Sequence, residues 1–86
     1  MEYIIIAKRG RMRKTIYSKE HKFMVQQLKK ARKEAGLHQK KVAKLLGKTQ
    51  SYVSKIESGQ RRIDFLQLQE HAAIYKKKIN YFIKDK

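Results

Sequence analysis

The stretch Gln39-Lys40-Lys41-Val42-Ala43-Lys44-Leu45-Leu46-Gly47-Lys48-Thr49-Gln50-Ser51-Tyr52-Val53-Ser54-Lys55-Ile56-Glu57-Ser58 decides the fold. In its first half Val42, Ala43 and Leu46 share one side of a short helix, about residues 39 to 46, closed by Gly47. The second half opens with Thr49, whose hydroxyl can accept from an unpaired backbone N–H, and continues as a helix of about 50 to 58 that buries Val53 and Ile56 and stops at Gly59. Two such helices joined by a short turn containing glycine describe an αα corner. Reversal within so few residues needs one that tolerates positive φ, and Gly47 does. Ala43 is small where the helices cross, and Val42, Leu46, Val53 and Ile56 clamp the corner at roughly 25 cal/mol per Å² of apolar surface buried.

Outward from the corner the signals stay helical. Ser18 is a candidate N-cap and Gly36 a candidate left-handed terminator for a first helix of about 19 to 35, with Met24, Leu28, Ala31 and Ala35 along one face. Asp64 caps a fourth helix whose Phe65, Leu68, Ala72 and Tyr75 keep helical spacing. After Lys76 to Lys78, the residues Ile79, Phe82 and Ile83 suggest a last short helix. No β-α alternation, internal repeat or glycine-rich phosphate loop interrupts this pattern, so the expected fold is all-α with five helices over residues 18–86. Residues 1–17 read as an appendage: Tyr3-Ile4-Ile5-Ile6 leads into Lys8-Arg9-Gly10-Arg11-Met12-Arg13-Lys14.

At 86 residues the chain can hold one small core. Lys plus Arg number 23 against 7 Asp plus Glu, a formal charge of +16, which attracts polyanions, nucleic acid first among them. A Lys- and Ile-rich, proline-free composition also arises from an AT-rich genome, so charge alone does not choose the partner. Without cysteine there are no disulfides, thiolate zinc sites or cysteine nucleophiles. The apolar run Tyr3 to Ala7 is far short of the ~20 residues that span a bilayer, and positive charges follow it instead of preceding it as in a secretory signal. His21, His38 and His71 stand on different elements, so no metal site is expected. No Ser/His/Asp set, paired carboxylates or nucleotide motif is visible. The chain therefore reads as a non-enzyme without cofactor, expected in the cytoplasm and associated with the nucleoid.

If Val53 and Ile56 point inward, Gln50, Ser51, Ser54 and Lys55 lie on the opposite side of their helix. Gln suits adenine, Lys suits guanine, Ser fits either, and a major groove admits the helix. The segment from Leu37-His38-Gln39 through Ile56-Glu57-Ser58-Gly59-Gln60-Arg61-Arg62 resembles the Cro/C1-type (XRE) helix-turn-helix family, over about residues 18 to 83. That resemblance implies a lambda-repressor-like DNA-binding domain, preceded here by a basic N-terminal arm that can remain disordered. It implies that Gln39 opens the second helix, touches a phosphate and steadies Gln50. Thr49, Gln50, Ser51, Tyr52, Ser54 and Lys55 would face DNA, and Gln60, Arg61 and Arg62 would grip the backbone. Arg32 and Glu57 stand where similar proteins carry a buried ion pair.

The sequence also departs from the family pattern. His38 replaces the usual Ser or Thr cap, Lys76 a common glycine, and Lys78 a polar cap; His71 stands where Leu is common and reads as a core-edge histidine with a local hydrogen bond, or else as a switch or ligand.

The function so implied is sequence-specific binding of double-stranded DNA by a transcription regulator of repressor type. It would act as a homodimer on a palindromic operator, because one helix reads only a few base pairs. Candidate dimer surfaces are Ile79, Tyr81, Phe82 and Ile83, and edge pairing of Tyr3 to Ile6. Lys8 to Lys14 would follow the backbone or enter a minor groove, or else belong to an extension without a role in binding. Two alternatives stay open: an antitoxin that masks a toxin or regulator as protein partner and represses its own promoter, and an RNA-binding protein for which Tyr52 would be the stacking platform.

Overall fold

The computed structural model describes residues 18–83. They form four α-helices, α1 (Lys19–Glu34), α2 (Gln39–Leu46), α3 (Gln50–Glu57) and α4 (Phe65–Tyr75), followed by a 3-10 turn, Ile79–Phe82. The expected fifth helix is thus a single tight turn. Lys78 supplies no side-chain cap to it, and Ile83 is already extended. The expected basic arm and the Tyr3 to Ile6 strand lie outside the described residues.

Local chemistry accounts for each boundary. The Ser18 hydroxyl accepts from the His21 N–H at 3.1 Å, and Thr49 accepts from the Tyr52 N–H at 3.1 Å. Asp64 and Gln67 form a reciprocal capping box at 2.7 and 3.0 Å, satisfying two otherwise unpaired donors. His38 offers α2 no side-chain cap, in keeping with the exchange of hydroxyl for imidazole. Gly47 ends α2 at φ +70, and no neighbouring atom lies within 4 Å of where a Cβ would stand, so backbone conformation alone asks for glycine. Lys76 ends α4 at φ +58 and is the non-glycine residue with positive φ among those described.

The core joins Leu28 and Ala31 of α1, Val42 and Ala43 of α2, Tyr52, Val53 and Ile56 of α3, Leu68, Ala72 and Tyr75 of α4, and Phe82. The closest packing is that of α2 on α3, with α1 and α4 supporting the pair from behind. Two expectations need correction. On α1, Leu28 and Ala31 lie in the core with Met24 packed against it, joined by the buried Val25 and Arg32, whereas Ala35 is exposed. On α4, Phe65 does not join Leu68, Ala72 and Tyr75 inside but is 59% exposed, because at the first helical position its side chain falls at the edge of the buried arc.

Candidate nucleic-acid interface

The apolar clamp behind α3 fixes which way its polar residues point. Val53 and Ile56 are each 1% exposed, while Gln50, Ser51, Ser54 and Lys55 are all exposed on the other side. The helix is tethered at its far end by Glu57. The Arg32 Nε donates to Glu57 Oε2 at 2.7 Å and Nη2 to Oε1 at 3.1 Å, a bidentate pair, while Nη1 donates to the Leu37 carbonyl at 2.9 Å. Arg32 and Glu57 therefore connect α1, the α1–α2 turn and α3, matching the buried pair that the resemblance implies.

Gln39 is drawn into the same network. Its Nε2 donates to Glu57 Oε1 at 3.0 Å. Glu57 is thus a partner of Gln39 that the expected roles, steadying Gln50 and touching a phosphate, do not include.

Tyr52, expected to face DNA, has most of its surface inside the fold. The residue is 8% exposed, and burial pushes its phenol pKa upward. Lys48 Nζ sits 5.5 Å and the Arg61 guanidinium 5.0 Å from the ring centroid, both at cation–π range. The ring is the floor of an open depression lined by Gly47, Lys48, Thr49, Ser51, Lys55 and Arg61. No carboxylate lines this depression, and three cations and two hydroxyls rim it. An aromatic face so covered is not open to a stacking base.

The loop after α3 turns sharply. Gln60 and Arg61 N–H groups both donate to the Lys55 carbonyl, at 2.9 and 3.2 Å, after Gly59 at φ +82. Gln60, Arg61 and Arg62 are exposed there. Arg61 is brought to the α3 depression, whereas Arg62 lies close enough to His21 to disfavour its charged form, after burial as the larger cause.

Lys48 is the residue that sequence reasoning does not find. Its position inside the turn marks it as a loop lysine, and only the fold stands it over Tyr52. His71 is 2% exposed, with Nδ1 2.8 Å from the Gln67 carbonyl, which assigns the proton of the neutral ring to Nδ1. It takes the core-edge role with a local hydrogen bond. Among the described residues no group of three His, Cys, Asp or Glu could hold a metal ion, and no helix is long and apolar enough to cross a membrane.

A family model described as helix-turn-helix matches residues 28–82, more than half of the chain. The chain belongs to the Cro/C1-type helix-turn-helix family. Neither the curated proteins nor the solved structures return a match. Within the helix-turn-helix, α2 and α3 are the two crossing helices. Membership makes DNA the partner class and transcription regulation the general role.

Proposed function

We infer that this helix-turn-helix protein binds specific double-stranded DNA sequences as a repressor-type regulator, with α3 in the major groove. One observation carries the reading: the exposed faces of Gln50, Ser51, Ser54 and Lys55 form a continuous polar side on a helix whose opposite side is locked in the core. Gln50, Ser51 and Lys55 read base edges, since amide, hydroxyl and ammonium groups match the donor and acceptor patterns displayed there. Thr49, Gln60, Arg61 and Arg62 position the protein on the sugar-phosphate backbone, with Lys48 beside them and the spare N–H of Gln39 reaching a further phosphate. The Tyr52 floor keeps Lys48 and Arg61 at the rim, which sets charges before DNA arrives and lowers the entropic cost of ordering them.

Two copies on a two-fold-related operator supply the specificity that one short helix lacks, and occupancy then blocks polymerase. The covered Tyr52 ring favours duplex DNA over single-stranded RNA as ligand. Selection of preferred sites from a pool of random duplexes tests the reading: an enriched motif of two inverted half-sites about one helical turn apart is expected. A pool that gains no motif, or a protein that prefers single-stranded RNA in direct competition, overturns it.

A further inference from the structure

The outward side of α1 carries Lys19, Lys22, Gln26, Lys29 and Lys33 at steps of three, four, three and four, with Lys30 beside them, and all six are exposed. At 1.5 Å per residue the row is about 21 Å long. A surface that serves solubility intersperses bases with acids. Here like charges recur three or four positions apart, which weakens a helix. Glu20 and Glu34 fall on one flank of the row, and Glu34 is engaged by Lys77 at 3.1 Å. The other ion pair among the described residues is Arg32–Glu57, so none of the five lysines has a carboxylate partner there.

The DNA-reading surface does not absorb these charges. The cations assigned to it, Lys48, Lys55, Arg61 and Arg62, are fewer than the lysines of the row. α1 meets α3 through its buried side, where Arg32 reaches Glu57, and the exposed sides of the two helices diverge from that contact. Lys22 and Gln26 border the loop after α3 across a groove shared with Ser58 and Gly59, while Lys29, Lys30 and Lys33 lie further along α1, outside that groove.

The chemistry of the row selects its partner. The exposed large apolar side chains among the described residues are Leu45, Phe65, Leu66 and Ile83, none of them on α1, so the row lacks the apolar anchor on which a protein interface depends. It also presents no exposed aromatic ring on which an unpaired RNA base could stack. Evenly spaced ammonium groups suit an evenly spaced line of anions. Each strand of a duplex offers one phosphate per 3.4 Å of axis, and the row spans about six of them. We propose that the lysine side of α1 binds the phosphate backbone of a second duplex segment while α3 holds the first, so that each molecule bridges two segments. This rests on the reading of α3 for the first segment. Contact at α1 is independent of sequence, because phosphates carry no base information.

In the test, the full chain is held on an excess of its immobilised selected duplex, and capture of a labelled random duplex from solution is followed against salt. Five phosphate contacts predict a slope of log affinity on log salt of about −4.5 for the second duplex. Lys29→Gln/Lys30→Gln/Lys33→Gln removes three charges and keeps helix propensity; it is expected to bring the slope to about −2 and weaken capture about 10–100-fold. Its affinity for the selected duplex should stay within about threefold of the unsubstituted chain's, since screening confines each charge to its own surroundings, and this also establishes that it folds. Lys40→Gln/Lys41→Gln/Lys44→Gln removes equal charge from α2 and should leave capture in place. Unchanged capture by the α1 variant, an equal loss in the α2 variant, or displacement of the random duplex by an equal charge of poly-glutamate, which would make the partner an acidic protein, overturns the proposal while leaving the reading of α3 standing. If selection enriches no site, the reading of α3 falls; the salt slope of the α1 variant on random duplex alone then still decides the proposal, and a slope equal to that of the unsubstituted chain overturns it.

Discussion

Replacing Glu57 by alanine is expected to cost far more stability than the loss of any exposed residue of α3. The carboxylate accepts three hydrogen bonds, two from Arg32 and one from Gln39, and Arg32 and Glu57 are 8% and 7% exposed. Without it the Arg32 guanidinium stays buried with only the Leu37 carbonyl as acceptor. Breaking a buried pair in this way costs about 3–5 kcal/mol, because the surviving charge is left uncompensated. A domain of this size has a total stability of about 3–10 kcal/mol, so the variant should be partly or wholly unfolded at room temperature. The double variant Arg32→Met/Glu57→Leu removes both charges, and is expected to recover most of the loss, since well-packed apolar replacements of buried pairs are often neutral or better. Urea unfolding followed by helical circular dichroism measures all three proteins. A loss below about 1 kcal/mol for Glu57→Ala, or a double variant no more stable than the single, would refute the argument that an uncompensated charge is the cause.

Other consequences can be measured on the same footing. Arg61→Ala and Arg62→Ala should weaken binding to specific and random duplexes alike, and the dependence of log affinity on log salt should become shallower with each phosphate no longer neutralised; weakening confined to the specific site would assign these arginines to base reading. Burial holds the His71 pKa below its ordinary value, so the unfolded chain binds more protons than the folded one as pH falls below about 6.5, and stability should decline there. His71→Leu should flatten that decline, leaving the contribution of His21, whose pKa burial lowers too; an unaltered pH profile from pH 7 to 5 would remove His71 from the account. Lys76→Gly should raise stability by about 0.5–1 kcal/mol, because a left-handed lysine carries a steric penalty that glycine avoids, and a fall in the urea midpoint would contradict it.

The parts of this molecule that can be read in sequence are those set by short-range chemistry. Ser18, Thr49 and Asp64 cap helices through hydrogen bonds to residues three positions on, and Gly36, Gly47 and Gly59 adopt the positive φ that their positions after helices demand. What escapes depends on partners far along the chain. Hydrophobic spacing does not mark Arg32 as buried; the family resemblance does, and Glu57 neutralises it from another helix. The resemblance sets Tyr52 toward DNA, its ring is largely buried, and only the folded turn stations Lys48 and Arg61 above it. The outward face of α3 is legible because Val53 and Ile56 are three residues apart, whereas the Gln39–Glu57 hydrogen bond spans elements and leaves no mark in spacing.

The central claim, that the outward side of α3 reads bases, is tested most directly by repeating the site selection with Gln50→Ala and with Lys55→Ala. Each variant should lose preference at its own position within the half-site, at about 1–3 kcal/mol on the parental site, and bind random DNA almost as the parent does. Selected motifs identical to the parental one in both variants would contradict the account.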